Sequence, residues 1–169
     1  MGGLITLAFL ASRKPRIASA ITSGAALSLG AVSPLRVVLA RAARRVLPRL
    51  SIGSGLDPAG LSRDPEVVRR YLEDPLIVRT MTTSLGAELL AAAPRTAALP
   101  GEVAVPLLML HGGADPICSP EGSRTFSAGL RSPGCALRVY PELRHEIFNE
   151  PEREAIWHDL LSWLQEPRQ

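Results

Sequence analysis

The chain has 169 residues, of which 46% are hydrophobic and 21% charged, so it is long enough for one domain with its own core. Its two cysteines, Cys118 and Cys135, stand at no spacing that suits a disulfide framework or a zinc site, which predicts no metal and a reducing compartment such as the cytoplasm. The net charge of +3 comes from scattered arginines and gives no indication of nucleic-acid binding.

The first predicted elements are a helix and a strand. Residues 2–12 are small and apolar throughout, which predicts a helix buried against a sheet and ended by Pro15. Residues 16–23 are predicted to form a strand, with Gly24 marking its carboxyl end. A helix followed by a strand is typical of α/β proteins.

Residues 31–99 are predicted to form a helical insert between two parts of an α/β core, residues 1–30 and 100–169. The stretch is rich in Arg, Ala, Leu and Pro and has no strand-like run. Asp64 is predicted to cap a helix that starts at Pro65 and runs through Leu72. A second apolar helix is predicted over residues 83–93, before Pro94.

The insert begins with a predicted basic amphipathic helix. Its apolar face comprises Leu35, Val38, Leu39, Ala42 and Val46, and its arginines are Arg36, Arg41, Arg44 and Arg45. Such a helix either packs its apolar stripe on the core or docks on an anionic lipid surface.

After the insert the α/β pattern resumes. We predict a strand at residues 103–110, a helix at 120–130 and a strand at Ala136–Tyr140. A final helix over residues 152–164 is predicted to close over the sheet through Ile156, Leu160, Trp163 and Leu164.

Two polar residues follow successive strands of this predicted sheet. Asp115 comes after the Gly112-Gly113 pair, and His145 lies in the loop after the next strand. Parallel strands end at the same edge of a sheet, where α/β proteins bind ligands. An acid followed by a histidine is the second half of a serine, acid, histidine triad in hydrolase order.

Each of these residues also has a structural interpretation. Asp115 precedes Pro116 and could be a turn residue or a helix cap, and His145 could be a surface loop residue. His111 is interpreted as turn support, and His158 as a surface residue of the last helix. Ser23 and Ser119 lack the glycine-flanked turn that a nucleophilic serine would need.

Several motifs carry a family resemblance. The carboxyl-terminal half of an α/β-hydrolase is resembled by two runs, Leu-His-Gly-Gly-Ala-Asp (residues 110–115) and Arg-His-Glu (144–146). Within that superfamily, the cap of the monoacylglycerol lipase and lysophospholipase group is resembled by two more, Leu-Pro-Arg-Leu-Ser (47–51) and Leu-Ser-Arg-Asp (61–64). The resemblance implies a partial α/β-hydrolase fold with a helical cap, Asp115 as triad acid and His145 as general base. It implies a serine ester hydrolase that needs no cofactor.

The start of the chain fits the same family. Its nucleophile turn reads Gly-His-Ser-Met-Gly-Gly, and this chain opens Met1-Gly2-Gly3, so the resemblance places the serine immediately before Met1. As written, the chain is expected to lack its nucleophile and to be inactive by itself. Met1 matches the residue whose backbone N–H contributes to the oxyanion hole, although its nitrogen here is a terminal amine.

The expected substrate is therefore a single-chain lipid ester, with peripheral membrane contact through the cap and no nucleic-acid partner. One alternative is a non-catalytic binding module that keeps the acid and the histidine. Another is a different α/β-hydrolase, such as an S33-type peptidase or an epoxide hydrolase, because these differ at the nucleophile turn.

Overall fold

The computed structural model describes residues 1–28, 38 and 42–166. Within these ranges the helices include α1 (Gly2–Arg13), α2 (Pro65–Glu73), α3 (Thr83–Ala97), α4 (Pro120–Ala128) and α5 (Arg153–Gln165), and residues 42–46 are helical as well. The strands are β1 (Ala20–Ser23), β2 (Ser51–Gly53), β3 (Thr80–Thr82), β4 (Leu107–Gly112) and β5 (Ala136–Tyr140). None of the helices described there is long and apolar enough to cross a membrane.

The centre of the fold is a parallel sheet of three strands in the order β1-β4-β5. Every residue of β4 is buried, as expected for a central strand covered on both faces. Leu107 and Met109 pack with α1 on one face, whereas Leu108 and Leu110 pack with α5 on the other. Because β4 is the middle strand, its carboxyl end lies at the centre of the sheet edge.

Two predicted strands start later than expected. The predicted strand at residues 103–110 begins only at Leu107, because Pro100–Glu102 form a 3-10 turn and Pro106 lacks an N–H to donate. It extends to Gly112 because His111 and Gly112 are in register with Val139 and Tyr140. The strand predicted at residues 16–23 is confined to Ala20–Ser23, the residues that pair with β4.

The expectation that the insert has no strands is wrong. Strands β2 and β3 pair antiparallel over three residues each. Pro94 does not end the second insert helix either, since α3 continues to Ala97. Ala93 and Thr96 are buried on either side of the proline, so packing of the last turn outweighs the lost backbone hydrogen bond.

Several apolar side chains of the helices remain exposed. The predicted burial of the whole first helix is wrong, because α1 buries Leu4, Leu7, Leu10 and Ala11 but leaves Ile5 and Phe9 exposed. In α5, Ile156 and Trp163 are buried as predicted, whereas Leu164 is exposed.

The predicted basic helix is described only in part. Leu35, Arg36, Leu39 and Arg41 lie outside the described residues. The described members of its apolar stripe are all exposed: Val38, Ala42 and Val46. The interpretation that the stripe packs on the core is therefore wrong for these three residues.

Candidate active site

Asp115 and His145 meet at the carboxyl edge of the parallel sheet. The Nδ1 of His145 lies 2.7 Å from Oδ2 of Asp115. Asp115 follows β4 and His145 follows β5, so neighbouring parallel strands deliver the two side chains to one place. The carboxylate is fully buried, whereas the imidazole is 20% exposed.

The Asp115 carboxylate is fixed by the turn that follows β4. Its Oδ1 accepts hydrogen bonds from the backbone N–H groups of Ile117 (2.8 Å) and Cys118 (3.0 Å). Burial opposes ionisation, but hydrogen bonds from His111, His145 and the Cys118 backbone outweigh it and hold the pKa of Asp115 well below its ordinary value. Asp115 is therefore an anion in this site.

Residues 141–146, which we call the histidine loop because they include His145, lie directly on the glycine pair after β4. A β-carbon on Gly112 would overlap the carbonyl oxygens of Leu143 and Arg144, and one on Gly113 would lie 2.7 Å from Cα of Pro141. The N–H of Gly113 donates to the carbonyl of Tyr140 at 2.7 Å. Glycine is required here because the two loops pack backbone against backbone.

Gly24, at the end of β1, closes the other side of the imidazole. Its φ of +54° is left-handed, and an added β-carbon would lie 3.0 Å from Cε1 of His145. All three strands of the sheet thus contribute a residue that touches or positions His145.

A buried carboxylate ties the histidine loop to the segment before α2. Glu150 is fully buried, and its Oε1 accepts from the N–H of Arg144 at 2.7 Å. Its Oε2 accepts from the Ser62 hydroxyl (3.3 Å), the Arg63 N–H (3.0 Å) and the Arg63 guanidinium (3.2 Å). Sequence reasoning missed Glu150, because its partners Ser62 and Arg63 lie more than eighty residues away along the chain.

The backbone of the same segment also pairs with the histidine loop. The N–H of His145 donates to the carbonyl of Gly60 at 3.3 Å, and the N–H of Glu146 donates to that of Leu61 at 2.8 Å. The position of His145 is therefore set both by the sheet and by the segment that leads to α2.

His111 does more than support a turn. It is fully buried, with Nε2 3.1 Å from Oδ2 of Asp115 and Nδ1 2.8 Å from the hydroxyl of Ser123. Ser123, His111 and Asp115 thus form a second serine, histidine, acid array. Because Ser123 and His111 are both buried, no substrate can reach that serine.

Three other residues that the sequence analysis considered are His158, Ser119 and Met1. His158 is exposed on α5, as predicted. The Ser119 hydroxyl caps α4 by accepting from the N–H of Glu121. The amino group of Met1 lies within electrostatic reach of Cys118, next to Asp115. Burial and the Asp115 charge raise the pKa of the Cys118 thiol to about 11, whereas the amino group lowers that pKa.

Metal binding has no support in the part of the chain that is described. Among those residues, no three His, Cys, Asp or Glu side chains are grouped so that they could hold a metal ion.

Comparison with known proteins identifies the family. A sequence model described as serine aminopeptidase, S33, matches residues 1–152. The chain is 32% identical over 166 residues to a monoacylglycerol lipase of Mycolicibacterium smegmatis, covering 97% of this chain and 59% of that protein. It is 33% identical over 161 residues to the phospholipase YtpA of Bacillus subtilis, covering 93% of this chain and 62% of that protein.

A solved structure extends the comparison to the fold. The crystal structure of the Paleococcus ferrophilus monoacylglycerol lipase superposes with a TM-score of 0.91 at 33% identity, over 96% of this chain and 64% of that one. The chain thus spans about three fifths of the length of these relatives. Sequence and fold agree that the chain belongs to the serine aminopeptidase S33 family and has part of an α/β-hydrolase fold.

Proposed function

We propose that this chain supplies the acid and the general base of a serine ester hydrolase that acts on single-chain lipid esters. The observation that carries the proposal is the 2.7 Å contact between Oδ2 of Asp115 and Nδ1 of His145. Within the described residues, Nε2 of His145 has no hydrogen-bond partner, and the ring is 20% exposed, so this nitrogen is available to a reacting hydroxyl.

The two side chains would have different roles. His145 would take the proton of the attacking serine through Nε2 and then donate it to the leaving alcohol. Asp115 would hold the imidazole in the tautomer with the proton on Nδ1 and would stabilise the charged ring. The low pKa of Asp115 supports this role, because the carboxylate stays ionised at any pH at which His145 could act.

The substrate class is inferred from the relatives. A monoacylglycerol lipase and a phospholipase both match the chain along nearly its whole length, and both names describe hydrolysis of lipid esters. We therefore favour monoacylglycerols and lysophospholipids. A reducing compartment such as the cytoplasm is consistent with Cys118 and Cys135 both being free.

Contact with a lipid surface is part of the proposal. Among the large apolar side chains that are exposed in the predicted insert, we refer to six as the insert patch: Val46, Leu47, Leu50, Ile52, Leu76 and Val78. Backbone hydrogen bonds of residues 50–54 with residues 79–83 bring the two parts of this patch together. Exposed Arg45 and Arg49 lie beside the patch in sequence and favour an anionic surface.

The proposal is tested with protein expressed from its own gene, so that the polypeptide has the length its cell gives it. Fatty-acid release is measured from a monoacylglycerol and a lysophospholipid, and amine release is measured from an aminoacyl amide. We expect the two esters to be cleaved, and His145→Gln to reduce the rate at least about a thousandfold. His158→Gln, at an exposed histidine, is the matched control and should leave the rate unchanged.

Two outcomes would contradict the proposal. Cleavage of the amide in preference to both esters would favour a peptidase, in line with the description of the matching family model. A complete lack of hydrolysis by protein in which the pair is intact would favour a non-catalytic binding module.

A further inference from the structure

The mechanism proposed above leaves one buried titratable group of the site unused. We propose that His111 is a positioning residue, which fixes the Asp115 carboxylate by donating a second imidazole hydrogen bond to the oxygen that serves His145. This inference rests on the proposed function for its importance in catalysis. Its geometry stands independently, because Nε2 of His111 and Nδ1 of His145 both lie within 3.1 Å of the same Oδ2.

The surroundings of His111 define its tautomer. Its Nε2 faces two atoms that can only accept a hydrogen bond, Oδ2 of Asp115 at 3.1 Å and the carbonyl oxygen of Cys118 at 3.0 Å. The proton of the neutral ring must therefore lie on Nε2. Nδ1 then accepts from the Ser123 hydroxyl, 2.8 Å away, which can rotate to donate.

A second donor at Oδ2 has a specific consequence for His145. It competes with His145 for the one carboxylate oxygen that both rings contact, which weakens the hydrogen bond from His145. It also prevents rotation of the carboxylate, because all four of its hydrogen bonds are then used. Asp115 is thus held ready for His145 before any substrate binds.

The first test needs no substitution at the site. The chain has three histidines, so ring-nitrogen NMR gives three sets of signals, and His158→Gln assigns the exposed one. We expect the neutral His111 ring to carry its proton on Nε2 and none on Nδ1. A protonated Nδ1 with a bare Nε2 would overturn the proposal, because such a ring cannot donate to Asp115.

The second test uses two variants of similar size. In His111→Gln the amide nitrogen can occupy the place of Nε2 and keep the donor to Asp115. In His111→Asn the shorter amide reaches toward Ser123 but not toward Asp115. We expect the proton signal of the His145 Nδ1–H to stay nearly unchanged in the Gln variant and to move downfield in the Asn variant, because Oδ2 of Asp115 then accepts from the His145 ring alone.

A purely structural role gives a different result. Both variants would then lower stability without moving the His145 Nδ1–H signal, or would move it equally, and either outcome would overturn the proposal. The NMR measurement does not depend on turnover. An inactive protein with the expected NMR signals would refute the proposed function but not the role of His111, and an active protein without them would do the reverse.

Discussion

At the scale of single residues, the site depends on positions where no side chain can be accommodated. Gly112 lies where a β-carbon would overlap two carbonyl oxygens of the histidine loop. We expect Gly112→Ala to lower the free energy of unfolding by about 2–3 kcal/mol, because backbone must move to relieve the overlap. Chemical denaturation measures this change.

Gly53 provides the matched control for that substitution. It is also a strand glycine, but no atom lies within 4 Å of its added β-carbon. Gly53→Ala should leave stability nearly unchanged. Equal losses in the two variants would show that the close approach of the histidine loop does not constrain residue 112.

The ionisation of Asp115 predicts a pH dependence of stability. Its pKa in the folded protein lies below that of an unfolded aspartate, which is about 3.9. The carboxylate therefore stabilises the fold at all pH values above about 4, and this contribution is lost as the pH falls further.

Asp115→Asn makes the effect measurable, since asparagine does not ionise in this range. The variant should be less stable than the wild type at pH 7, and the difference should narrow as the pH is lowered from about 5 to about 2. Urea denaturation at a series of pH values measures it. A difference that stays constant with pH would contradict the ionised state of Asp115 in the fold.

At the scale of elements, Glu150 joins the loop after β5 to the segment before α2. Glu150→Ala would leave the partly buried N–H groups of Arg144 and Arg63 without their acceptor. We expect a loss of about 3–5 kcal/mol in the free energy of unfolding. Glu152 also pairs with Arg63 but is half exposed, so Glu152→Ala should change stability little. Similar effects of the two substitutions would contradict the account of Glu150 as the buried link.

The elements that sequence could predict are those whose pattern is local. Ala136–Tyr140 was predicted with its observed bounds, and α2 starts at Pro65 under the predicted Asp64 cap. Strands β2 and β3 were missed because each has only three residues and neither has a buried face with a clear alternation. The end of α3 was missed because burial of Ala93 and Thr96 outweighs the effect of Pro94.

The same distinction applies to the site. The contact of Asp115 with His145 could be predicted, because each residue follows a recognisable strand of a parallel sheet and such strands end together. Glu150 and the Ser123–His111 contact could not. Their partners are set by how loops and helices pack across the sheet, and residues 62 and 150 share no local pattern.

At the scale of the whole molecule, the insert patch predicts binding to lipid surfaces. Leu76 and Val78 are 86% and 78% exposed, and we expect Leu76→Ser with Val78→Ser to weaken binding to anionic phosphatidylserine vesicles at least about tenfold. Vesicle sedimentation measures the binding.

The control for vesicle binding is a second apolar pair far from the insert. Leu161 and Leu164 on α5 are also exposed, and Leu161→Ser with Leu164→Ser should not affect binding. Equal weakening by both pairs would indicate a general effect of surface hydrophobicity and would contradict a specific lipid-binding face.

The central claim is that Asp115 acts on His145 in ester hydrolysis, and the turnover number of Asp115→Asn tests it most directly. Asparagine keeps the size of the side chain but removes the charge that holds the imidazole, so kcat for a monoacylglycerol should fall about ten-thousandfold with KM little changed. The measurement uses protein expressed from its own gene. A kcat within tenfold of the wild type would contradict the account.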